Sequence, residues 1–214
     1  MSTSKYQHVK FAPWKGKRYG RSKAGIKILV IGESHYWPGA RIPKGLTQYV
    51  IEKVSRRGWQ ARGALAGVER TFSSILPDVN GGEIWQEIAF YNYLQNWIGK
   101  NAADRPKRKE FHHPASVKGL IEVLFRLKPD LVVILGTGLF KFLSENDPGP
   151  PIRLGHEQIP TWLYRVGKAK TALVIGIKHP SKYYSSEKWA PIVNAGIRTA
   201  KIRMWKAAQP KVAA

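Results

Sequence analysis

Two apolar runs, each followed at once by a short polar motif, constrain the fold of this chain most. Residues 28–31 (Ile-Leu-Val-Ile) lead into a Gly-Glu-Ser-His-Tyr motif at 32–36, and residues 172–177 lead into Lys-His-Pro-Ser at 178–181. Continuous apolar runs that end in turn residues are typical of buried strands in a parallel sheet. Because ligands of open α/β sheets bind at the carboxyl ends of such strands, we expect Glu33 and His179 to face one site.

The rest of the chain alternates predicted strands with predicted helices. Strands are expected at 26–31, 88–91 (ending at Asn92), 131–135 and 172–177, with 161–166 pairing with the last one. Helices are expected at 45–57, 64–76, 116–127 (with Ser116 as N-cap) and 187–205. This alternation predicts a three-layer α/β/α sandwich with a central four-stranded, mostly parallel sheet. We expect a single domain at 26–205, a basic N-terminal arm at 1–25 and a C-terminal tail at 206–214.

The charge of the chain favours a polyanionic partner. Lysine and arginine number 36 against 14 acidic residues, which gives a formal net charge of +22. Aromatic residues stand beside many of these cations, as in the run Lys182-Tyr183-Tyr184. Because nucleic-acid-binding surfaces combine positive charge with aromatic side chains, DNA is the expected partner.

Composition excludes several other classes of protein. The absence of cysteine rules out disulfides, thiol catalysis, cysteine-based zinc sites and iron–sulfur clusters. His35, His112 and His113 lack a further ligand at useful spacing, so we expect neither a metal centre nor a cofactor. Without an apolar run long enough to span a bilayer or a signal-peptide core, we expect a soluble cytoplasmic monomer that does not bind membranes.

Taken together, the motifs resemble those of the uracil-DNA glycosylase superfamily. The resemblance covers most of residues 26–205 and rests on the order and strand-end positions of the 32–36 motif, Asn92 and the His-Pro-Ser motif at 179–181. It implies a DNA glycosylase with a four-stranded parallel sheet and a pocket for an extruded base. The implied pocket residues are Gly32, Ser34, His35, Tyr36, Phe72 and Asn92, with Tyr36 or Phe72 stacking on the base.

Two positions depart from the uracil-specific members of that superfamily. Ser34 stands where those members carry an aspartate or asparagine that positions or activates water, and His35 replaces a proline. The nearest carboxylate is Glu33. These differences predict weak or no activity on plain uracil and favour a deaminated or otherwise modified base, excised either in repair or in defence against foreign DNA.

The chemistry of glycosidic cleavage assigns roles to the remaining residues. Glu33 would stabilise the positively charged sugar or orient the attacking water, and His179 would donate a hydrogen bond to the departing base. Asn92 carries both a donor and an acceptor for reading a base edge. In the superfamily, the loop that follows the histidine enters the minor groove. Its expected DNA contacts here are Ser181, Lys182, Tyr183 and Tyr184, with one tyrosine as a wedge.

Structural roles compete with each of these assignments. Glu33 would also serve as an ordinary loop carboxylate, and His179 as a strand cap. Asn92 has a rival in Asn96, and Phe72 lies at core spacing on its predicted helix. At the level of the whole chain, one alternative is a non-catalytic nucleic-acid-binding protein on the same fold. Another is an enzyme acting on free nucleotides, but Gly136-Thr137-Gly138 is too short for a phosphate-binding loop.

Overall fold

The computed structural model describes residues 6–37, 39, 41–43, 45–57, 63–99, 104, 106–143, 147–181 and 183–209. Its strands are β1 (Trp14–Lys15), β2 (Ile28–Gly32), β3 (His35–Tyr36), β4 (Ala89–Asn92), β5 (Trp97–Gly99), β6 (Leu131–Leu135), β7 (Asp147–Pro148), β8 (Ile152–Leu154), β9 (Glu157–Ile159), β10 (Trp162–Arg165) and β11 (Thr171–Ile177). Its α-helices are α1 (Leu46–Arg57), α2 (Ala64–Ser73), α3 (Ile84–Glu87), α4 (Arg108–Phe111), α5 (Pro114–Leu127), α6 (Thr137–Phe142) and α7 (Ser186–Ala208).

The fold is α/β, as predicted, but the main sheet is mixed and has seven strands in the order β1-β4-β2-β6-β11-β10-β7. The central four, β4, β2, β6 and β11, are parallel, and the outer three pair antiparallel. The predicted antiparallel pairing of 161–166 with the last central strand is confirmed. The two edge strands were missed because two residues are too few to show an alternating pattern.

The register of the central strands brings their carboxyl ends to one edge. Gly32 lies beside Asn92, and Leu135 lies beside Ile177. The polar motifs that follow β2 and β11 therefore begin at the same edge of the sheet, as expected for a ligand site in an open α/β sheet.

The sheet is buried on both faces, which explains its continuous apolar runs. On β2, Ile28 and Val30 pack into one cluster with α2 and α7, whereas Leu29 and Ile31 pack into a second cluster with α5 and α6. Successive side chains point to opposite faces of a strand, so both faces need apolar residues.

Several predicted boundaries are wrong in detail. α5 begins at Pro114, and His113 is its N-cap, because the ring Nδ1 accepts a hydrogen bond from the Ala115 amide at 3.2 Å. Proline suits the first helical position because its missing N–H has no partner to lose there. Ser116, the predicted cap, is instead buried inside the helix. The short helix α4, which precedes α5, was not among the predicted helices.

The N-terminal stretch is packed against the sheet over its described part. It is largely irregular, but Val9, Phe11 and Tyr19 are buried, and Trp14–Lys15 pairs with β4. At the other end, α7 extends to Ala208, three residues beyond its predicted end. None of the described helices combines the length and apolar character that crossing a membrane requires.

Candidate active site

A cleft of about 600 Å³ opens at the carboxyl edge of the parallel strands. Its lining comes from the 32–36 motif, the ends of β4 and β6, helices α1 and α2, and the His-Pro-Ser motif. The residues are Gly32, Glu33, Ser34, His35, Tyr36, Thr47, Val50, Gly63, Ala64, Leu65, Arg70, Phe90, Asn92, Leu135, His179, Pro180 and Ser181. The volume lies within the range of sites that enclose small molecules.

The structure therefore brings Glu33 and His179, far apart in the chain, into the same cleft. Both side chains are partly buried. Glu33 follows β2, and its carbonyl oxygen accepts a hydrogen bond from the Leu94 amide at 2.9 Å, which ties the motif to the chain beyond β4. The cleft thus combines a carboxylate from one motif with an imidazole from the other.

The floor of the cleft depends on a glycine. A Cβ placed on Gly32 would lie 2.2 Å from Asn92 Oδ1 and 3.0 Å from the tip of the Phe90 ring. Real side chains do not approach so closely, so any larger residue would displace Asn92. Gly32 is therefore what allows the carboxamide of Asn92 to lie across the end of β2.

Asn92 is held by the first motif. Its side-chain nitrogen donates a hydrogen bond to the carbonyl oxygen of Ser34 at 3.0 Å, and the side chain is nearly buried. Because a carbonyl can only accept, this contact sets the orientation of the amide and directs one of its two donors towards Ser34. The Ser34 hydroxyl oxygen is also buried and has no hydrogen-bond partner among the described residues.

His35 is a neutral residue at the rear of the site. It is buried, its Nε2 lies 3.1 Å from the Thr47 hydroxyl, and its ring meets Phe11 edge-on at 4.8 Å between centroids. Burial lowers the pKa of His35 to about 4, because the charged imidazolium is disfavoured away from water. His35 therefore positions α1 and the motif without carrying charge near neutral pH.

The buried state of His35 predicts a pH dependence of stability. Since the ordinary pKa is 6.5 and the folded value is about 4, the unfolded chain binds a proton that the folded chain does not, and stability falls as pH decreases through this window. The full shift corresponds to about 3 kcal/mol. Urea unfolding of the wild type and of His35→Gln, from pH 7 to pH 4, should show this loss only in the wild type.

The comparison with the variant is needed because Glu69 acts in the opposite direction. Burial raises the pKa of Glu69 to about 7, from an ordinary value of 4.5, so its contribution to stability is lost as pH rises between those values. That effect is common to both proteins and cancels in their difference. Equal pH profiles for the two proteins would contradict the assignment of His35 as a buried neutral group.

The His-Pro-Ser motif is seated between two glycines. A Cβ on Gly67 of α2 would lie 2.6 Å from Pro180 Cβ, so only a glycine allows the loop to pack against the helix. Gly136, which has φ +116°, follows β6, and a Cβ built there would lie 3.8 Å from His179 Cβ. The loop backbone therefore lies close beside α2 and the end of β6.

The structure separates the two predicted wedge residues. Tyr184 is half-buried and its hydroxyl lies 2.6 Å from the Thr71 hydroxyl, which itself donates to the Gly67 carbonyl. Tyr183 is 80% exposed and has φ +63°, and its carbonyl accepts a hydrogen bond from Lys178 Nζ at 3.1 Å. Tyr184 thus anchors the loop, and Tyr183 projects from it. Lys182 lies outside the described residues, and Ser181 is exposed on the cleft rim.

Phe72 does not belong to the cleft, so its assignment to the base pocket was wrong. It is 1% exposed and packs in the core cluster on the α2 face of the sheet. Tyr36 and Phe90 both line the cleft, and Phe90 meets Trp85 edge-on at 5.8 Å between ring centroids. Phe90 precedes Asn92 by two residues on β4, and this spacing places both on one face.

The position of Phe72 predicts an effect on stability alone. Phe72→Ala should lower the free energy of unfolding by about 3–5 kcal/mol, because it removes a fully buried ring and leaves a cavity. The rate of any reaction in the cleft, expressed per folded molecule, should be unchanged. Chemical denaturation and an activity assay on the same preparation would check both parts, and a large loss of rate in fully folded protein would contradict the core assignment.

The sequence motifs did not predict Arg70 and Thr47 as site residues. Arg70 is exposed on α2 at the side of the cleft, and Thr47 supports His35 from α1. Neither lies in a motif; only the packing of α1 and α2 over the strand ends brings them to the site. Asn92 lines the cleft, and its rival Asn96 is not among the described lining residues.

Within the described ranges, no group of three or more histidine, aspartate or glutamate side chains is placed to hold a metal ion. The sequence matches no protein-family model and no curated protein.

Proposed function

We propose that this protein is a DNA glycosylase that hydrolyses the bond between deoxyribose and an extruded, modified or deaminated base. The observation that carries the proposal is that one cleft at the carboxyl edge of the parallel strands is lined by Glu33, Asn92 and His179. The resemblance of the motifs to the uracil-DNA glycosylase superfamily supports it. We further infer that the four parallel strands, with helices on both faces, are the three-layer core of that superfamily.

The reaction divides between the two motifs. As the C1′–N bond breaks, its electron pair leaves with the base and the sugar becomes positively charged. The Glu33 carboxylate stabilises that charge and accepts a proton from the water that attacks C1′. His179 donates a hydrogen bond to the base as negative charge develops on it. The products are the free base, which takes up a proton, and an abasic deoxyribose.

The orientation of Asn92 limits what the site reads. One of its two N–H groups is used by the Ser34 carbonyl, which fixes the amide and leaves Oδ1 as its acceptor for a base. The site therefore favours a base that presents an N–H group to this oxygen. Phe90 lies beside Asn92 on the floor and supplies an apolar surface for the ring.

DNA binding and base extrusion involve the exposed surface around the cleft. Arg70 lies at the cleft and Lys178 just outside it, on a chain of net charge +22. This charge favours phosphate contacts without reading sequence. Tyr183, exposed and held by Lys178, is the side chain that would fill the space left by the extruded base.

A panel of modified DNAs tests the proposal. Labelled duplexes and single strands carrying uracil, hypoxanthine, xanthine, hydroxymethyluracil, hydroxymethylcytosine or glucosylated hydroxymethylcytosine are incubated with the protein in the presence of a chelator. Alkali then converts abasic sites into strand breaks. The proposal predicts cleavage of at least one modified substrate and little at plain uracil, since Ser34 replaces the carboxylate or amide of uracil-specific members.

Binding without abasic sites on every substrate would favour the non-catalytic alternative. The salt dependence of affinity would then be retained, because it depends on phosphate contacts alone. Release of free nucleotides rather than bases would favour an enzyme of nucleotide metabolism. Both outcomes would contradict the glycosylase assignment.

A further inference from the structure

A second concave surface lies on the face of the sheet that α5 and α6 cover. It is a groove of about 460 Å³ beside α5, which we call the α5 groove. Its lining is Tyr93, His112, Val117, Leu120, Ile121, Leu124, Phe125, Phe142, Leu143, Tyr164 and Arg165. None of these residues lines the cleft of the proposed active site.

The groove is bordered by an exposed apolar stripe. Val117, Ile121 and Phe125 are 42%, 52% and 43% exposed, and their spacing of four residues places them along one side of α5. Single exposed apolar residues are common on soluble proteins, but a contiguous group with a polar rim marks an interaction site. A partner that covers these three side chains removes their apolar surface from water, and this burial favours binding.

The two tyrosine hydroxyls in the groove already bond within the chain. The hydroxyl of Tyr93 donates to the Phe111 carbonyl, and that of Tyr164 donates to the Leu143 carbonyl, both at 2.7 Å. Phe142 packs against Phe111 at 5.5 Å between ring centroids. The groove therefore presents ring faces and aliphatic side chains, which suit an apolar helix face better than a sugar or phosphate.

Two exposed cations lie on the elements that form the groove, and one of them, Arg165, is part of its lining. Lys118 on α5 and Arg165 at the end of β10 are both exposed. The one acidic residue of α5, Glu122, accepts hydrogen bonds from the Gln7 and His8 amides and pairs with Arg126 at 3.0 Å. Its charge is compensated locally, so the rim attracts acidic groups.

We propose that the α5 groove binds an acidic amphipathic helix of a partner protein. The apolar face of that helix packs on Val117, Ile121 and Phe125, and its carboxylates meet Lys118 and Arg165. A second copy of this chain is a poor occupant. The other exposed apolar cluster, Ile202, Met204 and Trp205 on α7, is interleaved with Lys201, Arg203 and Lys206, which the rim would repel.

A designed peptide tests this binding directly. The probe is a fluorescein-labelled helix of about 16 residues, with leucines along one face and glutamates on the other. A scrambled peptide and a version with lysine in place of glutamate are the peptide controls. Fluorescence anisotropy of the full-length protein should show tightest binding for the acidic amphipathic peptide and weakest for the lysine version.

Two matched variants locate the binding site. Ile121→Gln should weaken binding roughly tenfold, as expected for a central apolar contact. Ile202→Gln, at a position of nearly equal exposure (54%), should leave binding unchanged. Arg165→Gln should lower the affinity for the acidic amphipathic peptide and leave the affinity for the scrambled peptide unchanged. Thermal melts would verify that each variant is folded.

Three results would overturn the proposal. The first is equal affinity for the scrambled and amphipathic peptides or no binding of either at millimolar concentration. The second is wild-type affinity in Ile121→Gln. The third is a concentration-dependent dimer, seen by light scattering, that Ile121→Gln abolishes, since this would make a second copy the occupant.

Discussion

Glu33→Gln is expected to lower the single-turnover rate of base excision by about 100- to 10,000-fold, the range typical of a lost catalytic base. Glutamine keeps the size of the side chain but carries no negative charge. It cannot accept the proton of the attacking water or stabilise the positive sugar. Affinity for DNA should be unchanged or slightly higher, because a negative charge is removed beside a polyanion. Quenched-flow or manual quenching with excess enzyme would measure the rate without product release.

A matched variant separates this effect from a general change of charge. Glu52 is exposed on α1 and does not line the cleft, so Glu52→Gln makes the same substitution elsewhere. It should retain the wild-type rate. A wild-type rate in Glu33→Gln would remove Glu33 from the reaction and leave a water held at Ser34 and His35 as the alternative.

His179→Ala is expected to lower the excision rate by about 100- to 1000-fold, the usual cost of losing one donor to a developing negative charge. The loss should depend on the leaving group. A base made more acidic by an electron-withdrawing substituent needs less stabilisation as it departs, so the variant should lose less on the 5-fluoro derivative of a cleaved pyrimidine. Rates on the two substrates, for wild type and variant, would measure this difference.

Two further variants complete that experiment. His179→Gln retains a neutral donor and should recover part of the rate lost in the alanine variant. His156→Ala removes an exposed histidine from the turn between β8 and β9 and should have no effect. A loss that is equal on both substrates would assign His179 to loop structure rather than to stabilisation of the departing base.

The parallel core could be predicted because its strands are buried on both faces. The strand Leu131–Leu135 was predicted with the same first and last residues that the structure shows. Five consecutive apolar residues between Asp130 and Gly136 leave little freedom in placing it. The edge strands Trp14–Lys15 and Asp147–Pro148 were not predicted. They owe their existence to neighbours that are distant in sequence, and two residues have no period of their own.

The shared site was predicted from strand ends, and its details were not. Glu33, Asn92 and His179 line one cleft because parallel strands end at one edge. Phe72 was assigned to the pocket although its helical spacing fits the core. The place of Phe90 in the cleft was not predicted, because a strand buried on both faces does not show which of its side chains face the site. The different roles of Tyr183 and Tyr184 depend on the contact with Thr71 on α2, which is set by tertiary packing.

Mass spectrometry of the reaction products tests the central claim most directly. The protein is incubated with the panel DNAs, and both the small-molecule fraction and the intact strands are weighed. The account predicts a free modified base, together with a strand whose mass has decreased by that base and increased by one water. Strands of unchanged mass in samples where the protein is fully bound to DNA would contradict it.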